Sequence, residues 1–284
     1  MSLGVDWVTF TANDMHDAER LLAWSSEAVT TQMRLGFQRK GWGLSGFTGF
    51  QCGQVQYGVR NREAIVRLSG ETADNSWRLL YELSTNCSRV DIQCTSRNDT
   101  SAAQRIRKYA RQAQAYSREK AGRSSTTLLF CTDGGSTVYL GKRQSERMGR
   151  IYDKGVQSGQ SYWSEAVRHE AEFKGAAAWS IIRTLFRARD NYTPCAQVLR
   201  GFFERRGVTL PFLEVPPFLL EVRRPPANNQ SYLEWLRKQV SPGVKRLIAC
   251  GMLSEVTEAL GLPPELNAPS GRLAQMVQES KGVH

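Results

Sequence analysis

A chain of 284 residues with 40% hydrophobic and 10% aromatic residues can bury one large core or two smaller ones, which excludes a disordered polymer. Its formal net charge of +11 and pI near 9.6 call for a polyanionic partner, nucleic acid or an anionic membrane surface. No apolar run reaches the length of a membrane helix, and the first twenty residues lack the basic start and apolar stretch of a secretion signal, so a cytoplasmic protein without stable membrane association is expected.

The six cysteines (Cys52, Cys87, Cys94, Cys131, Cys195 and Cys250) form no CxxC pair, which points to small buried hydrophobes rather than a zinc site or disulfide framework. With only His16, His169 and His284 present, no mechanism built on adjacent imidazoles is available. A metal here would be held mainly by carboxylates, which favours magnesium or manganese.

In chain order, "VDWVTFTA" (residues 5–12) alternates apolar and polar side chains with β-branched and aromatic members and predicts a strand. "MHDAERLLAWSSEAVTTQMR" (15–34) has helical spacing, with Asn13 or Asp14 as N-cap. The glycine-dotted "GWGLSGFTGFQCGQVQYGV" (41–59) predicts a strand and hairpin pair, and "EAIVRLSG" (63–70) another strand. "SWRLLYELSTN" (76–86) predicts a short helix and "SRVDIQCTS" (88–96) the strand after it.

Residues 101–123 predict a helix with seven basic residues and one acidic one. Either this is a solvated face, or Arg105, Lys108 and Arg111, at three-residue steps along one side, contact phosphates; the overall charge favours phosphate contact. "STTLLFCT", "STVYLGKR" and "GRIYDKGV" predict three successive strands with "TDGGS" as a tight turn between the first two. In "SYWSEAVRHEAEFKG" the alternation puts Val167, His169, Ala171 and Phe173 on one face and Arg168, Glu170, Glu172 and Lys174 on the other. "AAAWSIIRTLFRAR" begins a helix, and from about Asn191 helical stretches surround the proline-rich "LPFLEVPPFLLEVRRPPANNQ". The expected division is a domain over 1–190 and a mostly helical region over 191–284.

Three acidic residues on predicted strands stand out: Asp91, Glu170 and Glu172. A carboxylate on a buried strand face needs a cation, so these are either metal ligands or members of a salt-bridge row with Arg168 and Lys174 on an exposed strand. In "YLGKRQSERMGRIYDKG" (139–155), Tyr152 lies between Arg150 and Lys154, which a continuous strand would point the same way. A phenol of pKa roughly 10 is a poor nucleophile at neutral pH unless cations or a metal favour the phenolate. Pattern alone does not choose between Tyr139 and Tyr152.

That stretch resembles the signature of the replication initiation factor (Rep_trans) family of plasmid rolling-circle initiators, conjugative-element relaxases and filamentous-phage initiators. The family pattern runs Tyr, hydrophobic, Gly, Ser, Arg, a small polar residue and Ser, then Arg, hydrophobic, Tyr, Asp or Asn, and Lys; Lys142 replaces the first Ser. "GVDWVTFT", "SRVDI" and "VRHEAEFKG" resemble three further family strands in the same order, and "YLEWLRKQVSPGVKRL" the C-terminal helical part of phage members. The resemblance spans most of residues 4–180 and more loosely 230–250.

It implies an α+β fold, a ferredoxin/RRM-like antiparallel sheet with helices on one side and a C-terminal helical extension. It also implies a DNA-nicking and strand-joining initiator of rolling-circle replication. Tyr152 would be the nucleophile of a 5′-phosphotyrosyl link, leaving a 3′-hydroxyl to prime synthesis, with Arg150 and Lys154 assisting. Asp91, Glu170 and Glu172 would hold a divalent ion, magnesium or manganese. Arg105, Lys108, Arg111, Lys142 and Arg143 would bind origin DNA, single-stranded or supercoiled duplex. A host helicase and a second copy of the chain are candidate partners. Where the family often has a second Asp, four residues after the first, this chain has Thr95; the metal site then loses a ligand, or Asp6 or Glu172 replaces it. A conjugative relaxase of the same chemistry and a non-catalytic DNA-binding regulator are the competing functions.

Overall fold

The computed structural model describes residues 1–84, 86–98, 100–120, 126–130, 135–188, 190–218, 220 and 241–259. The chain divides into two compact units, Met1–Val222 and Arg223–His284.

The first unit begins with β1 (Ser2–Ala12) and α1 (Met15–Arg34), whose N-cap Asp14 accepts a hydrogen bond from the backbone N–H of Asp17. A meander follows: β2 (Lys40–Leu44), β3 (Phe47–Cys52), β4 (Val55–Arg60) and β5 (Glu63–Ser69). Where the glycine-dotted stretch predicts a strand and hairpin pair, three strands form. Turns at Ser45–Gly46, Gly53 and Asn61, all at positive φ, reverse the chain within a few residues. Next come α2 (Gly70–Leu83), β6 (Asn86–Ser96), α3 (Ala102–Glu119), β7 (Thr126–Phe130), β8 (Ser136–Leu140) and β9 (Arg147–Asp153). The short α4 (Lys154–Ser158) and a 3₁₀ turn (Ser161–Trp163) lead to β10 (Val167–Lys174), α5 (Gly175–Arg187) and α6 (Tyr192–Glu204).

The ten strands among the described residues form one sheet in the order β2-β3-β4-β5-β1-β6-β10-β9-β8-β7, with antiparallel pairing throughout. Period-two alternation splits it into two faces of opposite character. One face supplies Val8, Phe10, Val66, Leu68, Val90, Ile92, Ile151, Ala171 and Phe173 to a core shared with α1, α2, α3, α5 and α6. Cys52, Cys87, Cys94 and Cys195 are free thiols packed in that core.

The α6 helix, placed by its sequence with the C-terminal region, buries Cys195, Leu199, Phe202 and Phe203 in this core. The first unit therefore extends to Val222, because the amphipathic face of α6 outweighs the proline-rich signal after it. Its packing depends on Gly149 of β9: a Cβ there would meet the Phe202 ring at 2.4 Å. Arg78 of α2 fastens the end of α5, donating to the carbonyls of Leu185, Phe186 and Ala188 and to Asn191 Oδ1.

In the second unit the described residues form α7 (Ser241–Ala249) and α8 (Leu253–Ala259), with Val256 and Thr257 buried. The segment 231–240, the "TDG" part of the turn before β8, the end of the basic helix at 121–123, Cys131 and His284 lie outside the described residues. Among the described residues no helix is long and apolar enough to cross a membrane.

Candidate active site

The other face of the sheet is polar, and antiparallel register aligns its side chains in rows across the strands. One row reads Thr95, Arg168, Tyr152 and Thr137 across β6, β10, β9 and β8. The next reads Gln93, Glu170, Arg150 and Tyr139, followed by Asp91, Glu172 and Met148, and then Arg89 beside Lys174. The even positions of β10 thus lie on the face that bears Tyr152, as the alternation predicts.

An exposed salt-bridge row is ruled out by burial: Asp91 is 1%, Glu170 3% and Glu172 6% exposed. Burying three carboxylates on one face demands compensating cations. Arg89 forks onto Asp91 (Nε to Oδ1 2.8 Å, Nη2 to Oδ2 2.5 Å) and also reaches Glu172 Oε2 at 2.8 Å. Lys174 closes on Glu172 Oε1 at 2.7 Å. Arg150 donates to Glu170 Oε1 at 2.6 Å. Arg168 donates to Asp6 Oδ1 and Thr95 Oγ1, both at 2.9 Å. Thr95, where the family pattern has an aspartate, is therefore an anchor for Arg168.

Burial pushes Tyr152 above the ordinary phenol range, and the negative charge of Glu170 adds to the rise, against the opposing pull of Arg168. The neutral phenol is thus the resting form, and a nucleophilic Tyr152 needs a proton acceptor. Glu170 stands diagonally across β10 from it, a spacing within reach of long side chains. Glu170 Oε2 is buried without a hydrogen-bond partner, and burial raises the pKa of its carboxyl. Burial also lifts Asp91 to about 7, against the pull of Arg89.

As arranged, Asp91, Glu170 and Glu172 do not fit a divalent ion. Both oxygens of Asp91 and both of Glu172 already serve Arg89 and Lys174, and only Glu170 Oε2 is open. Among the described residues, no three His, Cys, Asp or Glu side chains cluster as a metal site.

Other sequence-predicted residues divide. Lys154 is not on the strand: Asp153 accepts from the Val156 N–H at 3.0 Å and starts α4, so Lys154 opens a helix and donates to Gln157. It still feels the charges of Arg168, Asp6 and Glu170, and burial lowers its pKa. Arg105 is buried at 5% exposure and donates to the carbonyls of Ser96, Thr100 and Glu165, so it pins the start of α3 and does not face a ligand. Lys108 and Arg111 are exposed on α3. Lys142 and Arg143 are exposed on the turn before β9, about 17 Å along the strand from Tyr152 and near Lys174.

Arg168 was not among the predicted site residues, and Asp6 was expected only as a substitute metal ligand. The signal for Arg168 was its alternation with Glu170; Asp6 comes close because a bulge in β1 lies between Val5 and Trp7. Beside Tyr152 opens a cleft of about 210 Å³ whose lining includes Thr137, Tyr139, Arg150 and Gln157.

An antiparallel sheet bearing a phenol among arginines and carboxylates, in a chain of net charge +11, defines an α+β protein built for a polyanion. Over residues 85–259, more than half its length, the chain matches the family model described as replication initiation factor, and it belongs to that family. A role in initiating DNA replication, with DNA as partner, follows. The chain is also similar to the solved rolling circle replication initiator protein from Geobacillus stearothermophilus, at 16% identity and a TM-score of 0.48, covering 77% of this chain and 93% of that one. None of the curated proteins matches it.

Proposed function

We propose that the chain nicks and rejoins one DNA strand to start rolling-circle replication, with Tyr152 as nucleophile. The observation that carries this reading is the phenol of Tyr152 on the polar face, level with Arg168, diagonal to Glu170 and lining a cleft of about 210 Å³.

Tyr152 Oη attacks the phosphorus as its proton passes to Glu170 Oε2; the Oη–P bond forms, the P–O3′ bond breaks, and the departing 3′-oxygen takes a proton from solvent water. Arg150 and Arg168 oppose the negative charge that grows on the phosphate oxygens, and Lys154 adds to their field. The energy of the broken ester is kept in the phosphotyrosyl link, so resealing needs no external energy source. The cleft beside Tyr139 would seat a nucleoside next to the scissile phosphate. A ferredoxin/RRM-like origin of the catalytic half is part of the proposal, supported by α3 and α5 packing on one face of β6, β10 and β9.

The test is cleavage of a supercoiled plasmid carrying the native origin, with denaturing gels to detect covalent protein–DNA. Tyr152→Phe should abolish both relaxed product and adduct. An adduct that survives in this variant and disappears with Tyr139→Phe would assign the wrong tyrosine. Running the assay in magnesium, manganese and EDTA measures the metal requirement the family resemblance implies. Loss in EDTA would require Arg89 and Lys174 to release Asp91 and Glu172. Specific binding without cleavage in either metal would make the protein a regulator.

A further inference from the structure

The polar face continues beyond the region of the family match. Strands β1 to β5 lie before residue 85, and their outward side chains form a second set of rows. One row runs Gln51, Gln56, Arg67, Thr9, Arg89 and Lys174 across six strands. Beside it, Trp42 faces Gly49, which faces Gly58.

The missing side chains at these glycines matter: a Cβ on Gly58 would stand 3.0 Å from the Trp42 ring, so the indole lies down on the sheet. Trp42 keeps part of its surface open to solvent, and the guanidinium of Arg67 sits 5.5 Å from its ring centre. Arg67 has no carboxylate partner among the described residues, and its buried Nε has no hydrogen-bond acceptor. Two strands along, Arg89 lies 5.0 Å from the ring centre of Trp7. Unlike Arg89, whose charge is spent on Asp91 and Glu172, Arg67 is a half-buried cation with its charge unanswered.

An unpaired arginine beside an open indole, flanked by glutamines, suits a strand with unstacked bases: the ring offers a stacking surface and the cation a phosphate contact. A duplex hides its base faces and would leave the indole unused. We propose that the β1–β5 half of the polar face, centred on Trp42 and Arg67, is a binding track for single-stranded DNA. It would hold a stretch of strand about 20 Å from Tyr152, the span of the four strand spacings from β9 to β5. This deepens the nicking reading, whose own chemistry it does not share.

The test uses the full chain and a fluorescent 20-nucleotide single strand from the origin, with its duplex as control, in anisotropy titrations at several salt concentrations. Trp42→Leu should weaken single-strand binding about tenfold with an unchanged salt slope, and it should remove part of the quenching of tryptophan fluorescence by bound strand. Arg67→Gln should weaken binding and reduce the salt slope by about 0.7. Arg67→Lys, which keeps the charge, should restore the slope. In nicking assays these variants should need more DNA for half-maximal rate and reach the wild-type rate at saturation. Wild-type single-strand affinity in both Trp42→Leu and Arg67→Gln overturns the proposal, as does equal weakening for strand and duplex. If Trp42→Leu fails to fold, the Arg67 pair decides. If Tyr152→Phe still nicks, the catalytic reading falls while this binding result stands.

Discussion

The sharpest stability test concerns His169. Its ring is buried on the core face of β10, against Tyr109 of α3, Phe203 of α6 and Phe212. Burial, helped by the positive charge of Arg105, pushes its pKa down to about 3, against about 6.5 in an unfolded chain. Between those values the unfolded chain binds a proton that the folded chain refuses, so stability is lost as pH falls through this window. At pH 5 the gap of 1.5 units amounts to about 2 kcal/mol, and at pH 4 to about 3 kcal/mol. Asp91, raised to about 7, works in the opposite sense, favouring the fold as pH falls from 7 toward 4. The net acid sensitivity of the wild type is therefore ambiguous, but the difference between wild type and His169→Leu isolates the histidine. Any packing defect from Leu is independent of pH and cancels. Urea denaturation at pH 7.5 and 5.0 should show the variant losing about 2 kcal/mol less than the wild type over this interval. Parallel losses within about 0.5 kcal/mol would refute a neutral buried imidazole.

Five further substitutions test the frame around the site. Gly149→Ala should cost about 1–3 kcal/mol in denaturant unfolding, because its methyl meets a Phe202 ring wedged against Phe173 and Phe203; slower nicking should accompany it as β9 shifts. Arg105→Met should destabilise by about 2–3 kcal/mol by orphaning three carbonyls, whereas Lys108→Ala and Arg111→Ala should leave thermal melting nearly unchanged and each lower the duplex-binding salt slope by about 0.9. Arg78→Ala should cost about 2–3 kcal/mol by freeing the last carbonyls of α5, read by the same denaturation.

Much of this was legible in the sequence because short-range rules governed it. Alternation alone put Arg168, Glu170 and Glu172 on one face and His169 and Phe173 on the other, and the Asn13–Asp14 pair announced the start of α1, which Asp14 caps. Periodicity misled where a single residue changed the local geometry. Asp153 caps a helix, so Lys154 leaves the strand that "RIYDK" suggests. Arg105 shares a helical side with Lys108 and Arg111 by count, yet the carbonyls of Ser96 at the end of β6 and Glu165 before β10 draw it inward. Arg89–Asp91 and Lys174–Glu172 are pairs two residues apart that alternation already sets side by side, whereas the Arg89–Glu172 bridge and the Trp42–Arg67 platform depend on register between strands far apart in sequence. No local pattern encodes those neighbours.

The position of β1 reaches beyond catalysis. It is made first, yet it lies in the interior of the sheet, hydrogen-bonded to β5 on one side and to β6 on the other. A fragment cut at residue 85 would keep Tyr152 and the whole region of the family match, but β6 would become a bare edge with its backbone amides and carbonyls unpaired. Val90, Ile92 and Cys94 would lose the β1 layer that helps enclose them. The matched region is thus not a transplantable module: it carries five strands of the sheet, while mechanical integrity belongs to all ten of those described.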